Sequence, residues 1–300
     1  MLAIIIPYYK LTFFEQTLES LKNQKDQRFK VYIGDDASPE NPSFLLEKFK
    51  GKLDFVYHRF EENLGGISLV KQWQRCIDLS NKEEWLMVLG DDDLLSNTVV
   101  EKFYSNLPEF ENESNVVRFA SMTFNEENKK TSEKFEHQKW ETAFDFYYKR
   151  YKGLTRSSLS EYIFTKNSYL KYGFRDYPLA WHSDDMAWID FSENEPIYTI
   201  NNSYVVVRLS EINITGKKDN YELKNKAEQL FFRDIVREKL SFFKSIQRNE
   251  LLMNYEIAIK KNRKVTFEEW IFLLKNYFKN FKIVPFLKCI RRILNDNLTA

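Results

Sequence analysis

The sequence predicts an α/β fold, a largely parallel sheet with crossover helices, followed by a helical C-terminal region. Three observations predict it. Short apolar runs alternate with amphipathic stretches over the first 125 residues. The early runs are apolar at every position, not at alternate ones, as strands buried on both faces must be. Acidic and aromatic residues then follow directly after the runs, where open α/β sheets bind their ligands.

The predicted strands are residues 2–9, 29–35, 53–60, 85–89 and 116–124. Thr12 with Glu15 reads as a capping box opening the first helix, and Thr98 with Glu101 repeats it after the fourth strand. Residues 125–139 are polar and aperiodic, which predicts a mobile loop. Residues 160–210 mix strands at 162–165 and 204–209 with the stretch AWHSDDMAW at 180–188. Beyond about residue 219 the pattern is helical. Phe267, Trp270, Leu274, Tyr277 and Phe281 keep an i, i+3/i+4 spacing, and Thr266 with Glu269 caps that helix. The expected division is a domain over 1–215, with halves 1–125 and 126–215, and a basic amphipathic helical region over 219–300.

Composition excludes several classes. A net charge of +1, with 43% hydrophobic and 30% charged residues, is ordinary for a globular chain and offers no overall steering toward nucleic acid. The charge is unevenly spread: residues 256–300 hold ten Lys and Arg against four Asp and Glu, a local balance of +6 that leaves the rest at −5. Cys76 and Cys289 stand far apart without metal-ligand company, which fits a reducing, cytoplasmic compartment. The start, MLAIIIPYYK, has too short an apolar stretch for a signal and reads as a strand. No run approaches the roughly 18 apolar residues of a membrane span.

The stretch EWLMVLGDDDLLSN at 84–97 sets three carboxylates, Asp91, Asp92 and Asp93, at the end of an apolar run. Like charges so placed repel, and a cation relieves them. Mg²⁺ and Mn²⁺ take oxygen ligands and use one or two carboxylates while substrate phosphates complete the shell. An Asp-rich turn at a helix N-terminus accounts for the run equally well. Asp35 and Asp36, in IGDDAS, follow the second strand and fit an ordinary turn too. Tyr8 and Tyr9 follow the first strand, where they could stack on a base or join the core. In AWHSDDMAW, Asp184 and Asp185 lie between Trp181 and Trp188, an apolar setting able to tune a general base, while a helix N-terminus capped by Ser183 is the plainer account. His182 is one of three histidines, a candidate ligand or proton carrier. No glycine-rich phosphate loop occurs, and Gly65 with Gly66 in ENLGG suits a turn into a helix.

The order IIIPYYK, VYIGDDAS, ENLGG, WLMVLGDDDLL, YIFTKNSYLKYGF, HSDDMAW resembles the family 2 glycosyltransferases of the GT-A fold, over roughly residues 1–215. The resemblance implies a Rossmann-like nucleotide-diphospho-sugar transferase fold with a C-terminal helical extension, and single-sugar transfer with inversion from a UDP-sugar to a glycan or lipid-linked oligosaccharide acceptor in capsule, lipopolysaccharide or related polysaccharide synthesis. Mn²⁺ or Mg²⁺ is the implied cofactor. Carried over by position, Pro7, Tyr8 and Tyr9 line the nucleoside site, and Asp35 and Asp36 lie near the base. Asp91 and Asp92 hold the ribose and approach the metal, Asp93 is the principal metal ligand with Asp91 beside it, and Asp184 or Asp185 is the catalytic base, with Asp185 favoured. Lys10 and Val70 depart from the family pattern, and Lys71 is the expected electrostatic substitute for its arginine, without the bidentate fork. The implied location is the cytoplasmic side of the cell membrane, with the basic C-terminal helices in peripheral contact; a homo-oligomer is also compatible. The rivals are a GT-A protein that binds nucleotide or glycan without catalysis, and a sugar nucleotidyltransferase, whose glycine-rich triphosphate loop IIIPYYK lacks.

Overall fold

Apolar runs buried on both faces build the centre of the sheet. In the computed structural model, which describes residues 1–211, 220–280 and 283–298, the chain runs β1 (Leu2–Tyr8), α1 (Phe14–Lys22), β2 (Phe29–Asp35), α2 (Ser43–Glu47), β3 (Phe55–Arg59), α3 (Leu69–Ile77) and β4 (Trp85–Val88). It continues with β5 (Leu94–Leu95), α4 (Val99–Phe110), β6 (Val116–Asn125), β7 (Lys130–Thr131), β8 (Trp140–Thr142), α5 (Ala143–Tyr151), β9 (Tyr162–Thr165), α6 (Lys166–Tyr172), α7 (Ser183–Phe191) and β10 (Pro196–Leu209). The helices α8 (Tyr221–Asp234), α9 (Ser245–Asn262), α10 (Phe267–Lys279) and α11 (Ile283–Leu298) follow.

Among the described residues one mixed sheet has the order β3-β2-β1-β4-β9-β6-β10-β5, with β7 on β6 and β8 on β10. β3, β2, β1 and β4 are mutually parallel, and Ile4 pairs with Val31 and Met87. β9 then enters antiparallel to both β4 and β6. Leu2, Ile4, Ile6, Val31, Ile33 and Met87 join Phe14, Leu18, Val99 and Phe103 of α1 and α4 in one core. Gly34 in β2 is required by close approach: a Cβ there would lie 2.3 Å from the Cys76 sulfur of α3. Gly34→Ala is expected to cost about 2 kcal/mol, as overpacking does. Chemical denaturation checks this, and adding Cys76→Ala should restore most of the loss.

The chain divides into two compact units, Met1–Asp176 with Ser183–Lys218, and Tyr177–His182 with Asp219–Ala300. In the second unit Phe231, Leu251, Leu252, Tyr255, Ile259, Leu273 and Tyr277 are buried.

Several local expectations shift. α1 starts at Phe14 without a side-chain cap, so Thr12 does not cap it. Thr98 does precede α4, but its hydroxyl pairs with Ser203 at 3.0 Å instead of the helix amides. Thr266 and Glu269 do form a capping box. On α10 the inward residues are Trp270, Leu273 and Tyr277, whereas Phe267 is 79% exposed. Phe281 and Lys282 lie outside the described residues. The 125–139 segment is a hairpin and not an open loop, because β7 pairs with β6 and Phe135 bridges Ser121.

Candidate active site

Parallel pairing brings the C-terminal ends of β1, β2 and β4 side by side. The residues after each strand are then locked together by side-chain hydrogen bonds. Asp91 Oδ2 accepts from the backbone N–H groups of Tyr9 (2.8 Å) and Lys10 (2.9 Å), tying the end of β4 to the end of β1. Asp93 is 6% exposed: its Oδ1 accepts from the Arg208 backbone N–H at 2.9 Å and its Oδ2 from the Ser160 hydroxyl. Ser160 Oγ in turn accepts from Gly90 N–H at 3.0 Å. Asp91 and Asp92 are half-buried.

Burial first, and then the Asp92 charge, pushes the Asp91 carboxyl up to about 6 and the Asp93 carboxyl up to about 7. Such a set favours either protons or a cation. Among the described residues no group of three or more His, Cys, Asp and Glu side chains forms a metal cage. The donor chemistry still fits the partial oxygen shell of Mg²⁺ or Mn²⁺, which leaves positions for phosphate oxygens. Asp93 would contribute through lone pairs not used by Ser160 and Arg208, while Asp91 and Asp92 are the more accessible carboxylates.

Arg208 organises this corner. Its Nε donates to Asp92 O (2.9 Å), its Nη2 to Gln16 Oε1 (2.6 Å), its Nη1 meets Glu126, and its guanidinium lies 4.2 Å over the Phe13 ring. Its side chain is 3% exposed.

The second strand end is equally tied. Asp35 is fully buried, with Oδ2 accepting from Tyr57 OH (2.6 Å) and Arg59 Nη1 (2.8 Å) and Oδ1 from Ser38 N–H (2.7 Å). Asp36 accepts from Leu64 N–H (2.8 Å) and Gly65 N–H (2.9 Å) and pairs with Arg75. Gly65 is needed because a Cβ would stand 2.4 Å from Asp36 Oδ2. Burial raises the Asp36 carboxyl above its usual range despite these donors. Both aspartates therefore fix the loops that follow β2 and precede α3.

Tyr8 differs from the expectation of a stacking platform: it is fully buried, 4.6 Å from Phe14, and its hydroxyl donates to Glu40 O at 2.8 Å. Tyr9 is 36% exposed, and Pro7 is half-buried within β1. Lys71 is exposed on the first turn of α3, where its N–H donates to the Ser68 cap at 3.1 Å. The cation that reaches the Asp36 loop is Arg75, one turn on.

The acidic pair opens α7. Asp184 is half-buried, whereas Asp185 is 2% exposed and its Oδ2 meets Arg150 Nη1 of α5 at 2.7 Å. Trp188 turns into the core and stacks on Tyr162 at 4.0 Å, and Trp181 belongs to the second unit, with Lys224 over its ring. His182 also sits in that unit, stacked on Phe231 at 4.6 Å. Ser183 is the first residue of α7, and its hydroxyl donates to Arg175 O at 2.6 Å. Leu179, Ala180 and His182 all have positive φ, so the approach to the acidic pair is a strained segment.

Sequence reasoning missed Arg208, Ser160, Arg75, Arg59 and Arg150. The available signal was the need of buried carboxylates for donors, which names the residue type but not the position. One histidine gives a pH test. Burial first, and then Arg118, Arg156 and Lys149, push His137 down to about 3. Its Nδ1 lies 3.4 Å from Thr155 Oγ1. Folding thus favours the neutral ring, so this stability is complete above an unfolded value of about 6.5 and is lost as pH falls toward 3. His137→Asn should flatten the melting-temperature curve over that window; an unchanged acid limb would refute the assignment.

The glycosyl transferase family 2 profile matches residues 3–177. No curated protein matches the chain by sequence. Among solved structures, S. aureus TarS residues 1–349 superposes with a TM-score of 0.63 at 15% identity, covering 93% of this chain and 80% of that one. The same TarS fragment in complex with UDP-GlcNAc gives 0.63 at 16% identity, covering 92% and 79%. Longer TarS gives 0.62 at 14% identity, covering 95% of this chain and 50% of that one. At such identities the superpositions speak for the fold, a GT-A-like mixed α/β sheet with C-terminal helices. The profile covers more than half of the chain, which is therefore a glycosyltransferase belonging to glycosyl transferase family 2.

Proposed function

We propose that the chain moves one sugar from a UDP-sugar to a hydroxyl of a glycan or lipid-linked acceptor, with inversion, in capsule, lipopolysaccharide or related polysaccharide synthesis. The observation that carries this reading is the Asp91–Asp93 run fixed against the ends of β1 and β10 in a family 2 fold. The similar TarS structures with UDP-GlcNAc and with UDP support a uridine nucleotide donor.

Residues 1–215 form the catalytic domain in this reading, with donor contacts in 1–125 and acceptor contacts in 126–215. Tyr9, Asp35 and Asp36 shape the nucleoside site, and Asp91 and Asp92 hold the ribose. Asp91 and Asp93 would hold Mn²⁺ or Mg²⁺, whose charge offsets that of the departing diphosphate. The acceptor oxygen forms its bond to the anomeric carbon as the bond to the diphosphate oxygen breaks. UDP leaves with that electron pair, and the acceptor proton passes to Asp185, positioned by Arg150. Among the described residues no helix is long and apolar enough to cross a membrane. Exposed Phe278, Ile283 and Leu287, interleaved with Lys279, Lys288 and Arg291, suit peripheral contact with an anionic leaflet.

The test is a calorimetric titration of UDP with Mn²⁺ and then with chelator. Binding that needs metal is expected. Metal-independent binding removes the cation from the proposal, and no binding in either condition favours a GT-A protein that has lost donor chemistry.

A further inference from the structure

In the second unit α8 runs directly into a π-helical turn, Ile235–Lys239. Such turns insert an extra residue and recur at functional sites. A cavity of about 260 Å³ opens beside it. Three cationic side chains line the cavity, Arg237, Arg248 and Lys279, against the single carboxylate of Glu238. Asn276, Asn280 and Ser241 add neutral polar groups.

The wall is held in place. Arg248 Nε donates to Phe243 O at 2.6 Å and its Nη2 to Ser241 O at 2.7 Å, which fixes the guanidinium plane. Arg237 lies over the Phe272 ring at 4.9 Å. Asn280 Nδ2 donates to Ser245 O (2.9 Å) and Asn249 Oδ1 (2.8 Å), and Asn276 Nδ2 donates to Phe272 O (2.8 Å). Cations held on three separate segments around one small cavity, with a surplus of positive charge, call for an anion. A planar carboxylate is satisfied by a single guanidinium fork, whereas a phosphate spreads its oxygens tetrahedrally and can meet two guanidinium groups and an ammonium at once.

We propose that this cavity binds a phosphate group, carried either by the acceptor or by a membrane lipid headgroup. The anion site stands on the second unit alone; its link to the acceptor rests on the function proposed above. A lipid-linked acceptor bears its sugar on a phosphate or diphosphate, so the site would hold the acceptor by the part that does not react.

The test uses the full chain with chelator present, titrated calorimetrically with inorganic phosphate and with glycerol phosphate. In parallel, it is floated with phosphatidylcholine vesicles with or without phosphatidylglycerol. Saturable binding of the small phosphates is expected, weakened roughly ten-fold or more in Lys279→Gln and in Arg237→Gln, since a charge-assisted hydrogen bond carries about 1.5–3 kcal/mol. Metal-dependent UDP binding should be unchanged in both variants, and the melting temperature unchanged in Lys279→Gln, whereas Arg237→Gln also loses its contacts with Phe272 and Tyr255. Flotation that needs phosphatidylglycerol and is lost in Arg237→Gln, which lies outside the basic surface proposed above for the leaflet, assigns the site to a lipid headgroup; small-phosphate binding without flotation assigns it to the acceptor. Absence of saturable binding, or binding indifferent to both substitutions, overturns the site. Failure of UDP to bind the unaltered chain would instead count against the donor assignment and leave this cavity untouched.

Discussion

Asp185→Asn should lower sugar transfer by roughly two to four orders of magnitude in kcat, the usual worth of a positioned general base. The amide keeps the shape of the carboxylate but cannot take the acceptor proton. Affinity for UDP should survive, because the donor-side carboxylates Asp91 and Asp93 are anchored by Tyr9, Lys10, Ser160 and Arg208 and not by α7. Asp184→Asn is the control: it removes a charge from the same helix turn, also felt by Arg150, but leaves the Asp185 carboxylate and its contact with Arg150 in place. Arg150→Met should reduce kcat as well, since the carboxylate it positions would be left buried without that cation. UDP release measured with acceptor present separates the cases. Full activity in Asp185→Asn together with loss in Asp184→Asn would move the base by one residue.

The second large effect is expected at Arg208. Replacing it with Met leaves Glu126, Gln16 and the Asp92 carbonyl without their shared partner, while the backbone N–H to Asp93 remains, and removing one member of a buried ion pair costs about 3–5 kcal/mol. The melting temperature should fall by something on the order of 10 °C. UDP binding should fall with it, because the Asp92 carbonyl loses the donor that sets the turn. Arg208→Lys keeps the charge but not the fork, and should recover part of the stability and little of the binding. A Met variant that melts and binds as the unaltered chain does would show the tie to be dispensable. The two experiments are independent, one reading proton transfer and the other the architecture of the donor corner.

The contrast between carboxylates and their partners shows what the sequence exposes. Asp35, Asp36 and Asp91 to Asp93 were readable because strand ends in a parallel sheet are marked by the end of an apolar run. Their partners were not. Ser160 reaches Asp93 across 67 residues, Arg208 across 115, and Arg75 reaches Asp36 across 39. No local periodicity encodes such distances. The same holds for Thr98, whose hydroxyl is taken by Ser203 from β10, so a valid local signal yields to a tertiary one. On α10 the helical period was right and the phase only in part: Trp270 and Tyr277 turn inward as expected, whereas Phe267, Ile271 and Phe278 make a second apolar stripe on the exposed side, and an apolar pattern on both faces cannot fix which edge turns inward. Tyr8 illustrates the reverse ambiguity, an aromatic at a functional strand end that the core had already claimed.

The position of β9 also governs how this protein can be made. Residues 162–165 lie between β4 and β6, although both of those strands leave the ribosome first. Until that short segment emerges, β4 and β6 face each other with open edges and no strand to pair them. The serine just before it, Ser160, closes onto Asp93 at the same moment. A nascent chain halted before β9 therefore carries Asp91 to Asp93 yet lacks the serine that holds Asp93, with unpaired strands exposed to misassociation. Translation must pass this point before the corner around Asp93 can close, so synthesis itself sets the order in which that corner is assembled.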